Sequence, residues 1–199
     1  MMNEGFLKII RWVLVALGIM LLLAIIVLIF TRPNSQSGSG SSNGDQNKPI
    51  NLQDFRENGS MKLVQNGRVT APENHFRVVI TISNSTRTID IYNGYNTPPT
   101  TSQSYSNNQA SFDAFLGALT GNGFTNSQPI PSGINYQTYC TAGIRYSYQI
   151  LAGDIMKMDN WNSSCNPKNG SFAGNSTQVQ QLFRLQIPDY NQLTSRVRL

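Results

Sequence analysis

A run of 19 residues without a charged side chain, Trp12 to Phe30, constrains this chain more than any other feature of the sequence. At a helical rise of about 1.5 Å per residue, such a run spans about 29 Å, close to the hydrocarbon thickness of a bilayer. It is longer than the apolar region of a secretory leader, and no small-x-small cleavage site follows it. The sequence therefore predicts an N-terminal transmembrane helix, a signal anchor over residues 6–30 that stays in the protein.

The charges that flank this run predict its orientation. Lys8 and Arg11 precede it, whereas Arg32 is the only cation close behind it. By the positive-inside rule, residues 1–5 lie in the cytoplasm and the chain beyond Phe30 lies outside. We therefore expect a single-pass protein of the cytoplasmic membrane whose C-terminal domain is extracytoplasmic, with the lipid bilayer as the partner of residues 6–30.

Residues 31–48 separate this predicted anchor from the remainder of the chain. They contain the stretch SGSGSS and no large apolar residue, so they predict a flexible linker. A Gly/Ser-rich coil of this length has an r.m.s. reach of about 21–25 Å. The extracytoplasmic domain, residues 49–199, should therefore stay near the membrane.

A pilin-like surface assembly subunit is one alternative, because Gly5 and Phe6 before an apolar helix resemble the start of type IV pilins. Pilins carry a Glu five residues into the mature chain, where this sequence has Ile10. Arg11 also places a charge inside the helix that pilins keep apolar. The sequence thus departs from the pilin pattern at the positions that define it.

The predicted domain is poor in charge. Charged residues make up 13% of the chain, and polarity comes mainly from Asn, Ser, Thr and Gly, as is common outside cells. From Pro49 onward there are eleven Lys/Arg and eight Asp/Glu, which leaves a net charge of +3. Arg145 should lie on the opposite strand face from Tyr146 and Tyr148, so no nucleic-acid platform forms there. We predict no specific nucleic-acid partner.

Alternating apolar residues predict strands, most clearly in HFRVVITISN and the following TIDIY, which together read as a hairpin over residues 75–92. MKLVQNGRV precedes them, and TAGIRYSYQIL and the C-terminal LTSRVRL alternate further along the chain. Two segments instead have helical spacing: Phe112, Phe115, Leu116 and Leu119, and then Val179, Leu182 and Phe183. The prediction is an α+β domain with a mostly antiparallel sheet, two helices on one face and the order β-β-β-α-β-α-β.

Cys140 and Cys165 are the only cysteines in the chain. Outside the membrane, two cysteines in one domain most simply form a disulfide. Closing a loop of this length would stabilise the fold by roughly 3 kcal/mol on the chain-entropy model. We predict this disulfide.

A sortase-like cysteine transpeptidase at the cell surface is the alternative use of Cys140. Sortases combine His, Cys and Arg, and here His75 lies upstream and Arg145 just downstream of Cys140. A neighbouring base could activate the thiol, and a cation could steady an oxyanion. The sortase Cys follows a Thr-Leu-x-Thr run, however, and this sequence has Gln137-Thr-Tyr139 there. A second Cys would also consume the thiol, and His75 is expected at the surface.

The remaining sequence contains no complete catalytic or metal-binding pattern. It has one His, no calcium-loop spacing and, in residues 49–199, no G-x-S-x-G elbow, so we predict no catalytic residue, no metal and no cofactor. Aromatic side chains in polar loops are the candidates for binding, because Tyr and Trp offer contact area at low entropic cost. The predicted binding residues are Trp161, next to Cys165, and Tyr136 and Tyr139, next to Cys140.

The last 60 residues or so carry a family resemblance. The residues concerned are Cys140-Thr-Ala-Gly143, Trp161 with Cys165, Gly170-Ser-Phe and Gln186-Ile-Pro-Asp-Tyr190. They resemble uncharacterised small signal-anchored extracytoplasmic proteins of candidate-phyla bacteria such as the Saccharibacteria. The resemblance implies a bacterial envelope and brings no activity with it. From the sequence we predict a membrane-anchored domain that binds or organises envelope components, its partner an envelope protein or polymer.

Overall fold

Six antiparallel strands form one sheet in the part of the chain that the computed structural model describes, residues 49–95 and 97–199. The strands are β1 (Gly59–Asn66), β2 (Phe76–Ser83), β3 (Thr86–Asn93), β4 (Thr101–Ser106), β5 (Arg145–Ala152) and β6 (Ile155–Ser163). Helix α1 (Gln109–Gly121) follows β4, and α2 (Ser176–Leu185) and the short α3 (Tyr190–Leu193) follow β6. The strands are arranged in the order β4-β3-β2-β1-β5-β6, so the chain crosses back after α1 to pair β5 with β1.

The predicted order β-β-β-α-β-α-β is wrong, although the sheet is antiparallel as expected. Strands β4 and β6 were not predicted, and there are three α-helices in the described residues where two were predicted. The C-terminal LTSRVRL is not a strand. Leu193, Val197 and Leu199 do pack against the core, but the backbone turns, with the Val197 N–H donating to the Thr194 carbonyl.

The predicted transmembrane helix at residues 6–30 and the linker at 31–48 lie outside the described residues. Within residues 49–95 and 97–199, no helix has the length and hydropathy needed to cross a bilayer. Residues Lys48–Leu199 form one structural unit with its own core and disulfide.

Alternation along the strands divides the sheet into two faces. One face packs against α1 and α2 and makes the core of the domain. The principal core residues are Met61, Leu63, Val78, Ile80, Ile82, Ile89, Ile91 and Ile150 from the strands, with Phe112, Phe115, Leu116, Leu119, Val179 and Phe183 from the helices. The apolar alternation of β1, β2, β3 and β5 is therefore the direct consequence of having helices on one side of the sheet.

Asparagine side chains begin most of the helical segments. Asn108 accepts from the Ser111 N–H at the start of α1, and Asn175 accepts from the Gln178 N–H at the start of α2. Asn51 does the same for the 3-10 turn Leu52–Phe55 before β1. Such caps satisfy N–H groups that have no partner inside a helix. Part of the high asparagine content is thereby explained by folding.

The Tyr148 hydroxyl is the centre of a buried polar network that joins β5, β6 and α2. It lies 2.8 Å from Ser176 Oγ, donates to Asn162 Oδ1 at 3.2 Å and accepts from Gln180 Nε2 at 3.1 Å. Its ring stacks on Phe172 at 3.9 Å between centroids. Burial raises the pKa of Tyr148 to about 12, although the bonds to Ser176 and Gln180 act in the opposite direction.

We predict that Tyr148 makes the fold sensitive to alkali. The pKa of a tyrosine in the unfolded chain is about 10, so the stabilisation is complete below pH 10 and is lost as pH rises toward 12. Two pKa units correspond to about 3 kcal/mol. Urea denaturation at pH 9 and pH 11.5 should show this loss in the native chain. Tyr148→Phe should be less stable than the native chain at pH 9, because the hydrogen bonds of the hydroxyl are lost. It should lack the further loss of stability that ionisation of Tyr148 causes between pH 9 and pH 11.5. An equal pH dependence in both proteins would contradict the prediction.

Candidate functional site

A disulfide joins Cys140 to Cys165, as predicted, with their Cα atoms 5.8 Å apart. It ties the loop before β5 to the segment after β6. Cys140 has a left-handed backbone, with φ of 57°, the one non-glycine residue with positive φ in the described chain. Gly143 lies against the bridge, since a Cβ there would come within 2.6 Å of Cys140 Sγ. The spacing Cys140-Thr-Ala-Gly143 thus has a steric reason.

The segment of residues 132–144, here called the aromatic loop, is held onto the end of the sheet by polar contacts. Arg145 Nη1 donates to the carbonyls of Tyr136 and Gln137 at 3.2 and 3.1 Å. Asn66 Nδ2 donates to the Tyr136 hydroxyl, and Asn169 Nδ2 donates to the Tyr139 hydroxyl at 2.8 Å. Together with the disulfide, these contacts hold the aromatic loop in one conformation.

The structure brings the three predicted binding residues together. Tyr136 meets Trp161 edge to face, with centroids 5.5 Å apart, and Tyr139 is tilted against Trp161 at 6.2 Å. Only 6% of Trp161 is exposed, so this side chain supports the two tyrosines instead of presenting its own ring. Tyr136 and Tyr139 remain half-buried and are the members of the cluster that solvent can reach.

Arg145 is the buried charge beneath the aromatic loop, with 7% of its surface exposed. No carboxylate pairs with it among the described residues, where the single ion pair joins Arg56 to Asp113. Its Nη1 donates to two carbonyls, and the guanidinium lies 5.4 Å from the centroid of the Tyr136 ring, while its buried Nε has no hydrogen-bond partner among the described residues. A desolvated cation held in this way favours one loop conformation over its alternatives.

The sheet face opposite α1 and α2, here called the open face, continues from the aromatic loop across the strands. Cross-strand pairing places the following residues on it: Lys62, Val64, Asn66, Arg77, Val79, Thr81, Thr88, Asp90, Tyr92, Gln149 and Asp159. Most of these side chains are half-buried, and no helix of the described chain packs over them. The open face is therefore a broad surface of hydroxyls, amides, two valines, a tyrosine and four charged side chains, two of each sign.

Two groups on the open face have defined electrostatics. Arg77 lies over the ring of Tyr92 at 4.1 Å from its centroid, which orders both side chains. Desolvation raises the pKa of Asp159, while a hydrogen bond from Gln149 and the charge of Lys62 lower it. Arg77 was not singled out from the sequence as a binding residue. The strand parity of HFRVVITISN already placed Arg77 on the polar face, so that signal was present.

The groups required by the sortase-like alternative are engaged elsewhere. The Cys140 sulfur is bonded to Cys165, and Arg145 holds the aromatic loop. His75 was expected at the surface, and that expectation is wrong, because only 4% of it is exposed. Its ring stacks on Tyr95 at 4.0 Å, and its Nδ1–H donates to the Arg68 carbonyl at 3.0 Å. A carbonyl can only accept, so the proton is on Nδ1 in this arrangement.

The chain was compared with protein-family models and with curated proteins. No protein-family model matches the chain, and no curated protein matches it.

Proposed function

We propose that residues 49–199 are a binding module of the cell envelope and that its ligand is a neutral polymer, a glycan strand, lying on the open face beside the aromatic loop. We further propose that residues 6–30 hold this module on the outer side of the cytoplasmic membrane. The observation that carries the proposal is the aromatic loop itself, clamped by a disulfide and a buried cation next to an uncovered sheet face.

The chemistry of the open face supports a glycan. Sugars present hydroxyls that donate and accept hydrogen bonds, and apolar ring faces that pack against aromatic side chains. The open face offers amides and hydroxyls from Asn66, Thr81, Thr88 and Gln149 within reach of the half-exposed tyrosines. Its two cations, Lys62 and Arg77, are balanced by Asp90 and Asp159, and a face without net charge suits an uncharged polymer better than a polyanion.

Preorganisation supports binding as the role of the aromatic loop. A loop that is free to move must be ordered when it binds, at a cost of about 0.5–1.5 kcal/mol for each rotamer-rich side chain that becomes fixed. The hydroxyls of Tyr136 and Tyr139 are both already fixed by amide donors. Much of that ordering is therefore complete before a ligand arrives.

The test is co-sedimentation of the domain with purified peptidoglycan sacculi. Removing Arg77 and Tyr92 together by alanine substitution takes away an ordered pair on the open face, and we expect sacculus affinity to fall roughly tenfold, in the range of a binding hot spot. The matched control is Gln181→Ala on the exposed side of α2. Equal binding by the native chain and the double variant, or an absence of sacculus binding, would overturn the glycan proposal.

An envelope protein is the second candidate ligand, and the edge strand β4 favours it. Its sequence TSQSYS has no charge and no Pro, the devices that normally keep an edge from pairing with another chain. The Asn107 N–H donates to the Ser85 carbonyl, so Asn107 is a β4-side residue whose backbone points toward β3. Residues with this orientation alternate along an antiparallel strand, so the N–H and C=O groups of Ser102 and Ser104 point away from β3. An extended partner would lose affinity with Ser104→Pro, which removes an outward backbone N–H from β4. It should keep its affinity for Ser104→Ala, which changes the same side chain but retains that N–H.

A further inference from the structure

The hairpin between β5 and β6 ends in an exposed apolar tip. The turn passes through Gly153, which has a φ of 57°, and the chain enters β6 with Ile155 and Met156. These side chains are 62% and 46% exposed, adjacent in sequence, and among the few large apolar residues that the described chain leaves in solvent. Single exposed apolar residues are ordinary, but these two project to opposite faces of the strand, so the end of the hairpin is apolar on both sides.

This tip lies at the end of the sheet where the chain enters the domain. Gly59, the first residue of β1, pairs with Ala152, and the Gly153 N–H donates to the Asn58 carbonyl at 3.1 Å. The 3-10 turn Leu52–Phe55 comes immediately before β1, and Phe55 is in direct contact with Gly59. The first strand of the domain therefore begins next to the tip.

The tip is unsuited to pairing with another strand. The register of β5 and β6 shifts between Ile150 and Leu151, which leaves an additional residue, Lys157, on the edge strand. A bulge and an edge lysine are both features that prevent strand addition. The apolar side chains are therefore better suited to contact with lipid than to contact with an added strand, because contact with lipid requires no backbone hydrogen bonds.

We propose that Ile155 and Met156 insert into the outer leaflet of the membrane from which the domain is suspended. This inference rests on the membrane anchor of the proposed function. With that anchor, the linker predicted from the sequence for residues 31–48, whose expected reach is about 21–25 Å, would keep the tip within a short distance of the bilayer. Asp154 and Lys157 flank the apolar pair with opposite charges, so apolar burial drives the contact, and its dependence on salt is small.

The test replaces the anchor by a histidine tag before residue 49 and attaches the domain to nickel-chelating vesicles of phosphatidylcholine and phosphatidylglycerol. Ile155→Trp reports contact through quenching by brominated lipid. The matched control is Val69→Trp, because Val69 is 51% exposed and follows β1 at the opposite end of the sheet. We expect quenching at position 155 to exceed that at position 69 at least about twofold, since bromine quenches only residues within the acyl region.

A second measurement covers the case in which Ile155→Trp disturbs the hairpin. Without the tag, Ile155→Ser with Met156→Ser should reduce partitioning onto the same vesicles about tenfold, whereas Val69→Ser should leave it unchanged. Equal quenching at positions 155 and 69, no quenching at either, or unchanged partitioning of the double variant would overturn the proposal. Extraction of the full chain from membranes by alkaline carbonate tests the anchor separately, so a failure of the anchor and a failure of the tip are distinguishable.

Discussion

Loss of the Cys140–Cys165 disulfide should lower the free energy of unfolding by about 3 kcal/mol, the value expected for a closed loop of this length on the chain-entropy model. The bridge restricts the unfolded chain and also holds the aromatic loop over Trp161 in the folded one. Urea denaturation of the native chain and of the variant Cys140→Ala with Cys165→Ala measures the difference. The denaturation midpoint should fall, and the dependence on urea should steepen because the unfolded variant exposes more surface.

A reductant provides the control for this experiment. It should destabilise the native chain toward the value of the alanine variant and leave that variant unchanged. Trp161 fluorescence gives a local readout, since opening of the aromatic loop admits water to a ring that is now 6% exposed and shifts its emission to the red. Coincident denaturation curves for the native chain and the variant would contradict the prediction.

The strands that could be predicted from the sequence are those with one face packed against apolar residues and the other face in contact with water. Strands β1, β2, β3 and β5 lie in the middle of the sheet and pack against helices on one side, so each alternates clearly. Strand β4 lies at an edge, and five of its six side chains are exposed. With both faces in solvent there is no apolar period to detect, and the strand is defined only by its pairing with β3.

Strand β6 escaped prediction for a different reason. The positions that face the helices include Asn160 and Asn162, both buried. Asn162 accepts a hydrogen bond from Tyr148, a residue on the neighbouring strand. A buried side-chain amide is stable only when it has a hydrogen-bond partner, and the pairing register of β5 and β6 determines which residue that partner is. A pattern of apolar and polar residues along one segment contains no such information.

Part of the candidate site could also be predicted from the sequence, and part of it could not. Aromatic residues near two cysteines were sufficient to single out Tyr136, Tyr139 and Trp161 as candidates, and their contacts with one another are seen only in the structure. The residues that fix the tyrosines, Asn66 and Asn169, lie 70 and 30 positions away along the chain from the tyrosines they contact. Their role depends on strand pairing and loop placement, which local sequence does not specify. Trp161 was predicted as a binding residue in a polar loop, whereas it lies in strand β6 and only 6% of it is exposed.

Phe183→Ala should destabilise the domain by about 3–5 kcal/mol, the cost of a large cavity in a packed core. Phe183 is fully buried and joins α2 to α1 through an edge-to-face contact with Phe115 at 5.2 Å, and its ring lies 5.9 Å from that of Phe124. Thermal and urea denaturation measure the loss, and Phe183→Leu, which retains much of the volume, should cost about a third as much.

The position of Phe183 also separates stability from binding. It lies on the helix side of the sheet, so the cavity leaves the open face and the aromatic loop in place as long as the domain is folded. Phe183→Ala and the native chain should therefore bind sacculi equally at temperatures and urea concentrations well below the unfolding midpoint. The Arg77 and Tyr92 double variant should show the opposite behaviour: near-native stability and weak binding. A parallel loss of sacculus affinity in Phe183→Ala would place the ligand contacts on the helix layer instead of the open face.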